Sequence, residues 1–402
     1  MNGQNRIDVL DGLRGFSLLG ILLANLLIFQ YGFWGKDYID YFELSLIDKW
    51  VYSLIKIAVE GSFMPIFAFL FGYSLMMMRN KLKADQLRVK WYLFRRFFVL
   101  GVLGILHSIF LWEGDILFLY GMMGVFLLLF VNRKAKTLLI WTVSLLLLLG
   151  AGDVFNIFDN KGTDDFYNSD AVEPYVQQTT EVYSEGSYAE IKEYRNHAED
   201  PMEKELTGKK AGFIMLLLPF VLAPLFLFGM YTAKRQWFIN PTEEKRFYAT
   251  GFGICLPIGI TLKFIGHFMD VQFILGDILL ALGYIFLLSH FYSSAKFKCL
   301  LQLLQNIGKL SLTNYLMQTI ICTTIFYGYG FGMFGKLGVF WATLIGLIIF
   351  GLQIIFSTYY LKHFRYGPFE KVVRICTNLT LSGKRNNRVT KVIKDSTEES
   401  VV

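Results

Sequence analysis

Cysteine is scarce in this chain of 402 residues. The four present are Cys255, Cys299, Cys322 and Cys376. None forms a CxxC pair, so neither a disulfide framework nor a structural metal site is expected. Charge is scarce too: Asp, Glu, Lys and Arg make up 18% of residues, against about 25% in soluble globular chains. A P-loop, a nucleophile elbow, an HExxH pair and a Rossmann fingerprint are missing. So is the internal repeat that marks many transporters. The formal charge of +7 would suit nucleic acid, but there is no zinc-finger spacing and no basic-aromatic stripe in a soluble segment. A nucleic-acid partner is therefore not expected.

What the chain has is apolar sequence, 54% of it, gathered into long blocks such as Leu138–Gly152, Ala211–Ala233 and Val339–Leu361. A helix needs about 20 mainly apolar residues to cross a bilayer core about 30 Å thick. The expected fold is an all-α polytopic transmembrane bundle of about ten spans, at 13–33, 53–78, 94–111, 116–131, 137–153, 211–233, 247–266, 273–293, 310–330 and 338–361. The first run lacks an A-x-A-like cleavage site and reads as a retained span. Trp50–Glu60 can instead lie as an amphipathic helix in the interface, with a shorter span starting at Gly61. Residues 1–153 and 211–381 then form two transmembrane blocks. Between them, 154–210 is an acidic extracytoplasmic loop with 13 Asp and Glu against 6 Lys and Arg. Glu181–Glu205 suits one or two surface helices there, as a lid or as a spacer. Residues 382–402 form a basic tail drawn to anionic lipid.

Placing both termini inside puts 28 of the 39 Lys and Arg on the inner side and 23 of the 32 acids outside. That is the positive-inside pattern. The bilayer of the bacterial cytoplasmic membrane is the expected location and the first partner; a homo-oligomer is compatible with the sequence.

Ionisable groups inside spans are costly and mark function by default. Five groups stand out. Asp11 and Arg14 can pair at i, i+3, and Asn25 lies on the Arg14 face about 16 Å deeper, either as a ladder for an anionic ligand or as a topogenic cluster plus helix-helix hydrogen bonding. Lys56 and Glu60 can neutralise each other beside the Gly61–Pro65 break. Arg95 and Arg96 open the third span, while a short hairpin brings His107 towards Asp115, a pair suited to general base chemistry. Lys263, His267, Asp270 and Asp277 decorate an outer hairpin or join that pocket. Ser311, Asn314 and Gln318 share a helical face, lining a cavity or bonding a neighbouring helix. The Gly-rich Tyr327–Gly332 follows a span and reads as a flexible turn.

Arg6–Asn25, Gly61–Gly72, His107–Gly121, Gly308–Gln318 and Arg365-Tyr366-Gly367-Pro368-Phe369-Glu370 together resemble the YeiB-like family of bacterial multi-pass membrane proteins. Its N-terminal half is similar to transmembrane acyltransferases, the lysosomal heparan-glucosaminide acetyltransferase among them. That resemblance implies a cytoplasmic acyl-CoA as co-substrate, with no tightly bound cofactor or metal. It also implies a hydroxyl or amine acceptor on the far side, a cell-envelope glycan or a small molecule. Arg6, Asp11, Arg14 and Asn25 match the wider group's Arg, Leu-Asp-x-x-Arg-Gly and Asn positions. The lysosomal enzyme's His in the first outer loop has no counterpart in Phe33–Trp50, so the resemblance implies either that His107 replaces it or that the chemistry is different. The expected assignment makes His107, Asp115 and Asn25 catalytic. Arg6, Asp11, Arg14, Arg95 and Arg96 hold the donor, and Asn314 contacts it or the oxyanion. The alternative is a transporter or lipid flippase.

Overall fold

The computed structural model describes residues 7–158, 172–198, 201, 209–269, 271, 273–294 and 297–383. Arg6, Asp270 and the basic tail from 384 onward lie outside them, as does much of the acidic loop. Among the described residues the chain is helical without a strand.

The order is α1 (Asp8–Gly35), α2 (Leu46–Ala58), α3 (Phe63–Ala84), α4 (Val89–Phe110), α5 (Leu117–Leu127) and α6 (Ala135–Phe158), then α7 (Val172–Glu185) and α8 (Tyr188–His197). It continues with α9 (Lys209–Lys234), α10 (Lys245–Met269), α11 (Ile274–Tyr292), α12 (Lys298–Lys309), α13 (Ser311–Phe326), α14 (Val339–His363) and α15 (Pro368–Asn378). Among the described residues, seven helical stretches are long and apolar enough to cross a membrane: Asp8–Gly35, Leu46–Ala84, Val89–Phe110, Ala135–Asp153, Lys245–Met269, Ile274–Tyr292 and Val339–His363. The other three expected spans coincide with α5, α9 and α13. Outward-facing Phe98, Ile109, Leu147, Leu352 and Ile355 are exposed. An apolar girdle of that extent belongs against lipid.

α1 is the axis of the bundle. It packs on α3, α12, α13 and α14, so both halves of the chain share one core. The crossing with α12 is made by absent side chains: a Cβ on Gly15 would overlap the Leu304 carbonyl, and one on Gly308 the Asp11 carbonyl. At its far end α1 kinks at Gly32, with φ at +77°, a conformation open to glycine without steric cost. The kink frees the Gln30 carbonyl to accept from Gly335 N–H at 2.8 Å. Trp50–Glu60 does form most of a separate amphipathic helix, α2, with Leu46, Trp50 and Leu54 exposed.

Among the described residues, three carboxylates cap ends of helices distant in the chain that lack capping side chains of their own. Asp153 accepts from Ile274 and Leu275 N–H at α11. Asp48 accepts from Phe340 N–H at α14. Glu370 accepts from Leu312 N–H, Thr313 N–H and the Thr313 hydroxyl at α13, at 2.9, 3.1 and 2.6 Å. Each satisfies orphan donors and meets the positive end of a helix dipole. This explains the Gly367-Pro368-Phe369-Glu370 run: Pro368 opens α15, which presents Glu370 to α13. Glu370→Ala is expected to destabilise the protein by about 2 kcal/mol or more, because it removes a charged cap with three bonds. Thermal unfolding in detergent checks this, with Glu370→Gln expected to fall between the two.

Candidate functional site

The centre of the site is the α4–α5 hairpin. α4 ends at Phe110, the chain turns, and Asp115 caps α5 by accepting from Phe118 N–H at 2.8 Å. Its other oxygen lies 2.9 Å from His107 Nδ1, with both side chains 2% exposed. The distance suits a hydrogen bond, but the direction is bent, and neither atom has an aligned partner. Catalytic pairs often tighten only when substrate is bound. Gly104 makes the approach feasible, since a Cβ there would meet the Phe118 backbone and Asp115 Oδ2. On the other side of the ring, His107 Nε2 is 3.1 Å from the Thr319 hydroxyl of α13. Asp115, His107 and Thr319 thus form a buried chain. If Nδ1–H faces Asp115, the carboxylate holds the tautomer whose basic nitrogen is Nε2.

Below this chain a cavity of about 560 Å³ opens towards the end of the bundle where α1 begins. Its mouth carries Arg14, Lys81, Arg96, Lys309, Arg365 and Arg374. Its neck is apolar, with Ile21, Phe67, Leu70, Phe71, Leu100 and Leu117. Its floor is Ile116, Tyr120 and Tyr315. The Tyr315 hydroxyl accepts from Ile116 N–H at 3.4 Å, and its ring centroid is 5.5 Å from that of His107. A second cavity of about 480 Å³ adjoins the mouth, sharing Arg14, Ser74, Lys81, Arg96 and Arg374.

The structure sorts the expected residues. Asp11 is buried and holds Arg14 at 2.6 Å, while Arg14 also donates to Ser74 at 2.5 Å. Arg96 lines both cavities. Arg95 instead stacks on the Tyr92 ring at 4.4 Å and lines neither. Asn25 is half-buried, one turn beyond Ile21 of the cavity neck. Asn314 is fully buried and donates to the Ile307 carbonyl and to Ser357 at 3.2 and 3.0 Å. Gln318 donates to Gln353 at 2.9 Å, and Gln353 in turn to the Asn314 carbonyl. That face therefore joins α13 to α14, with only Ser311 at the cavity. Lys56 pairs with Glu60 at 2.7 Å, and Lys36 and Asp37 complete the group. Lys263 pairs with Asp277, and His267 meets Ser53 at 3.0 Å. They form an outer polar layer apart from the His107 chain.

On the far side, α7 and α8 dock over the end of α1 and enclose a third cavity of about 300 Å³. The helices begin at Val172, earlier than expected, because Val172, Val176 and Tyr183 are buried. Tyr183 donates to Glu113 at 2.8 Å, and Arg195 bonds the other Glu113 oxygen at 3.1 Å. Burial, then the Glu113 carboxylate, pushes the Tyr183 phenol well above its ordinary pKa. The Gly-rich turn is packed rather than loose: Gly328 N–H donates to the Tyr183 carbonyl, and Tyr327 is buried edge-on against Tyr183.

Sequence reasoning passed over Thr319, Lys81, Lys309 and Arg374, and it grouped Tyr315 with the polar residues of its span without assigning it to the His107 site. The repeated basic residue near each helix end on one face was the available signal for Lys81, Lys309 and Arg374.

The family described as protein of unknown function (DUF418) matches residues 232–380. The chain is 31% identical over 389 residues to uncharacterized protein YxaH of Bacillus subtilis (strain 168), covering 94% of this chain and 95% of that one. It is 26% identical over 400 residues to uncharacterized protein YeiB of Escherichia coli (strain K12), covering 93% and 97%. An uncharacterized 39.9 kDa protein in the amylase 3′ region of Bacillus acidopullulyticus is 27% identical over 379 residues, covering 93% and 94%. No solved structure matches the chain. The likeness to YxaH runs nearly end to end over a membrane-spanning helical bundle, and the chain belongs to the family of YxaH and YeiB.

Proposed function

We propose that this protein is a membrane-embedded acyltransferase of the bacterial cytoplasmic membrane. It takes an acyl group from acyl-CoA at its cytoplasmic, basic end and passes it to a hydroxyl or amine acceptor at the other end. The observation that carries this is the cavity whose mouth holds six cations and whose apolar neck ends under the His107–Asp115 pair. Guanidinium and ammonium groups suit phosphates, an apolar neck suits a pantetheine and acyl arm, and a buried His–carboxylate pair suits proton transfer.

In this mechanism Arg14, Arg96 and Arg374 hold phosphate oxygens, with Asp11 fixing Arg14. The thioester carbonyl rests near Tyr315, whose hydroxyl proton can meet the developing oxyanion. Asn25 is a further donor on the α1 side. An acceptor hydroxyl or amine attacks the carbonyl carbon while its proton passes to His107 Nε2. The carbon–sulfur bond breaks, and the thiolate takes the proton from the imidazolium. Asp115 keeps the ring oriented. The amide N–H groups of Asn314 are committed to Ile307 and Ser357, so it takes no part.

A transporter is the second reading, favoured by cavities at opposite ends with a closed layer between them. Acyl-CoA binding separates the two. Acetyl-CoA and longer acyl-CoAs are expected to stabilise detergent-solubilised protein saturably in a thermal-shift assay, with desulfo-CoA as control. Arg14→Ala and Arg374→Ala should each weaken binding about tenfold or more, the loss of one charged hydrogen-bonding partner. No shift with any acyl-CoA, from folded protein, would leave the transporter reading and call for uptake assays.

A further inference from the structure

The cavity beneath α7 and α8 has a composition of its own. Its walls are aromatic: Phe33 and Trp34 from α1, Tyr175 from α7 and Tyr194 from α8. Its charged pair is Glu113 and Arg195, which neutralise each other at 3.1 Å. We propose that this cavity binds a neutral, hydroxyl-rich ring, a sugar unit, and that it is the acceptor subsite of the reaction above. Only the acceptor role rests on the acyltransfer reading; the binding itself is independent of any donor.

The chemistry follows from the groups present. Aromatic faces pack against the C–H faces of a pyranose, burying apolar surface that a linear polyol cannot present flat. Glu113 accepts one bond at each oxygen, from Tyr183 and Arg195. A carboxylate offers about four lone-pair sites, and Glu113 is one-third exposed, so acceptor capacity remains for ligand hydroxyls. Arg195 makes both its bonds, to Glu113 and the Leu111 carbonyl, through Nη1. Its Nη2 and Nε remain as donors. Thr179 and Tyr194 add a hydroxyl pair 2.8 Å apart. The pocket thus presents donors and acceptors together with no net charge, which favours a neutral ligand over an anion or a cation. A volume of about 300 Å³ is at the small end of ligand pockets, room for a ring and not for a lipid.

The location supplies the acceptor role. Trp112 lies between this cavity and His107: its backbone N–H donates to the His107 carbonyl at 3.0 Å, and its ring packs on Phe29 and parallel to Phe33. Glu113 follows it directly and Asp115 comes two residues later. The segment 112–115 therefore carries the wall of the outer cavity on one side and the orienting carboxylate of the inner site on the other. Trp112 Nε1 is buried without a hydrogen-bond partner, an unmet donor in the partition between the two sites.

The test is equilibrium binding to the full chain in a sugar-free detergent, read by tryptophan fluorescence and thermal shift. The probes are methyl glucoside, methyl galactoside and methyl N-acetylglucosaminide, with glucuronate and glucosamine as charged comparators and glycerol as the non-ring polyol. A saturable response to at least one neutral glycoside is expected, stronger than to the charged sugars or glycerol. Trp34→Ala should weaken it about tenfold. Glu113→Gln should weaken the neutral glycoside and improve glucuronate relative to it, because Arg195 then stands uncompensated. Unchanged acyl-CoA binding in both variants shows that they fold. No response to any neutral glycoside, a preference for a charged sugar in wild type, or an unaltered response in Trp34→Ala would overturn the proposal. If glycosides bind and acyl-CoA does not, the sugar site stands and the acyltransfer reading fails. The reverse result fails the sugar site alone.

Discussion

His107→Ala is expected to abolish acyl transfer, a fall of about 10²–10⁴-fold, the usual span for one acid-base group, while acyl-CoA binding stays within a few-fold of wild type. The separation follows from geometry. The cations that would hold the donor sit at the cavity mouth, and His107 lies behind its floor at Tyr315. Asp115→Asn should also reduce turnover strongly without weakening donor binding, since an amide at 2.9 Å from Nδ1 no longer selects the tautomer with Nε2 free to accept a proton. The side-chain amide would still cap α5, so the hairpin should fold. Thr319→Val removes only the hydroxyl at Nε2 and should have a smaller effect. Single-turnover transfer from radiolabelled acyl-CoA, alongside a binding isotherm, measures all three. A wild-type rate in His107→Ala would remove it from the mechanism.

The legible part of this site was the local part. His107 and Asp115 are eight residues apart across one turn, and a helix end followed by Trp-Glu-Gly-Asp leaves few ways for the chain to return. Asp11 and Arg14 were legible for the same reason, one helical turn apart. Arg95 and Arg96 show the limit: adjacent residues on a helix point about 100° apart, so one faces the cavity and the other does not, and only the tertiary packing decides which. The stripe of Asn314 and Gln318 pointed to a polar face but not to its occupant. Gln353 and Ser357, four residues apart in the next apolar run, were the matching stripe, and complementary amides across two helices are what membrane bundles use as glue. Asp48, Asp153 and Glu370 could not be placed from sequence because each caps a helix distant in the chain. Thr319 is 212 residues from His107. Patterning supplied the helices themselves because a bilayer allows little else.

Gly308→Leu should prevent assembly of the bundle, the largest structural effect expected of any single change. A Cβ at 308 would overlap the Asp11 carbonyl oxygen and crowd Gly15 N. These are backbone atoms of the first turns of α1, which no rotamer change can move aside. Relief requires α1 and α12 to separate, and α1 is the element that α3, α12, α13 and α14 share. Small residues at helix crossings let backbones approach and gain dispersion contacts that lipid cannot supply better. Widening this crossing forfeits them along both helices. It also shifts Asp11 and Arg14, which lie on the same turns of α1, so the cavity mouth should open with the core. Gly308→Ala is the milder probe, since one methyl asks for a smaller displacement. Expression followed by gel filtration in detergent measures the outcome: a monodisperse peak for wild type, a reduced one for Gly308→Ala, and aggregate for Gly308→Leu. The half-buried Gly101 and Gly351 make the control pair. A Cβ at Gly351 meets nothing within 4 Å, and the same holds for Gly101. Alanine at either should leave the peak unchanged, because the crossing is set by contact between backbones and not by glycine content.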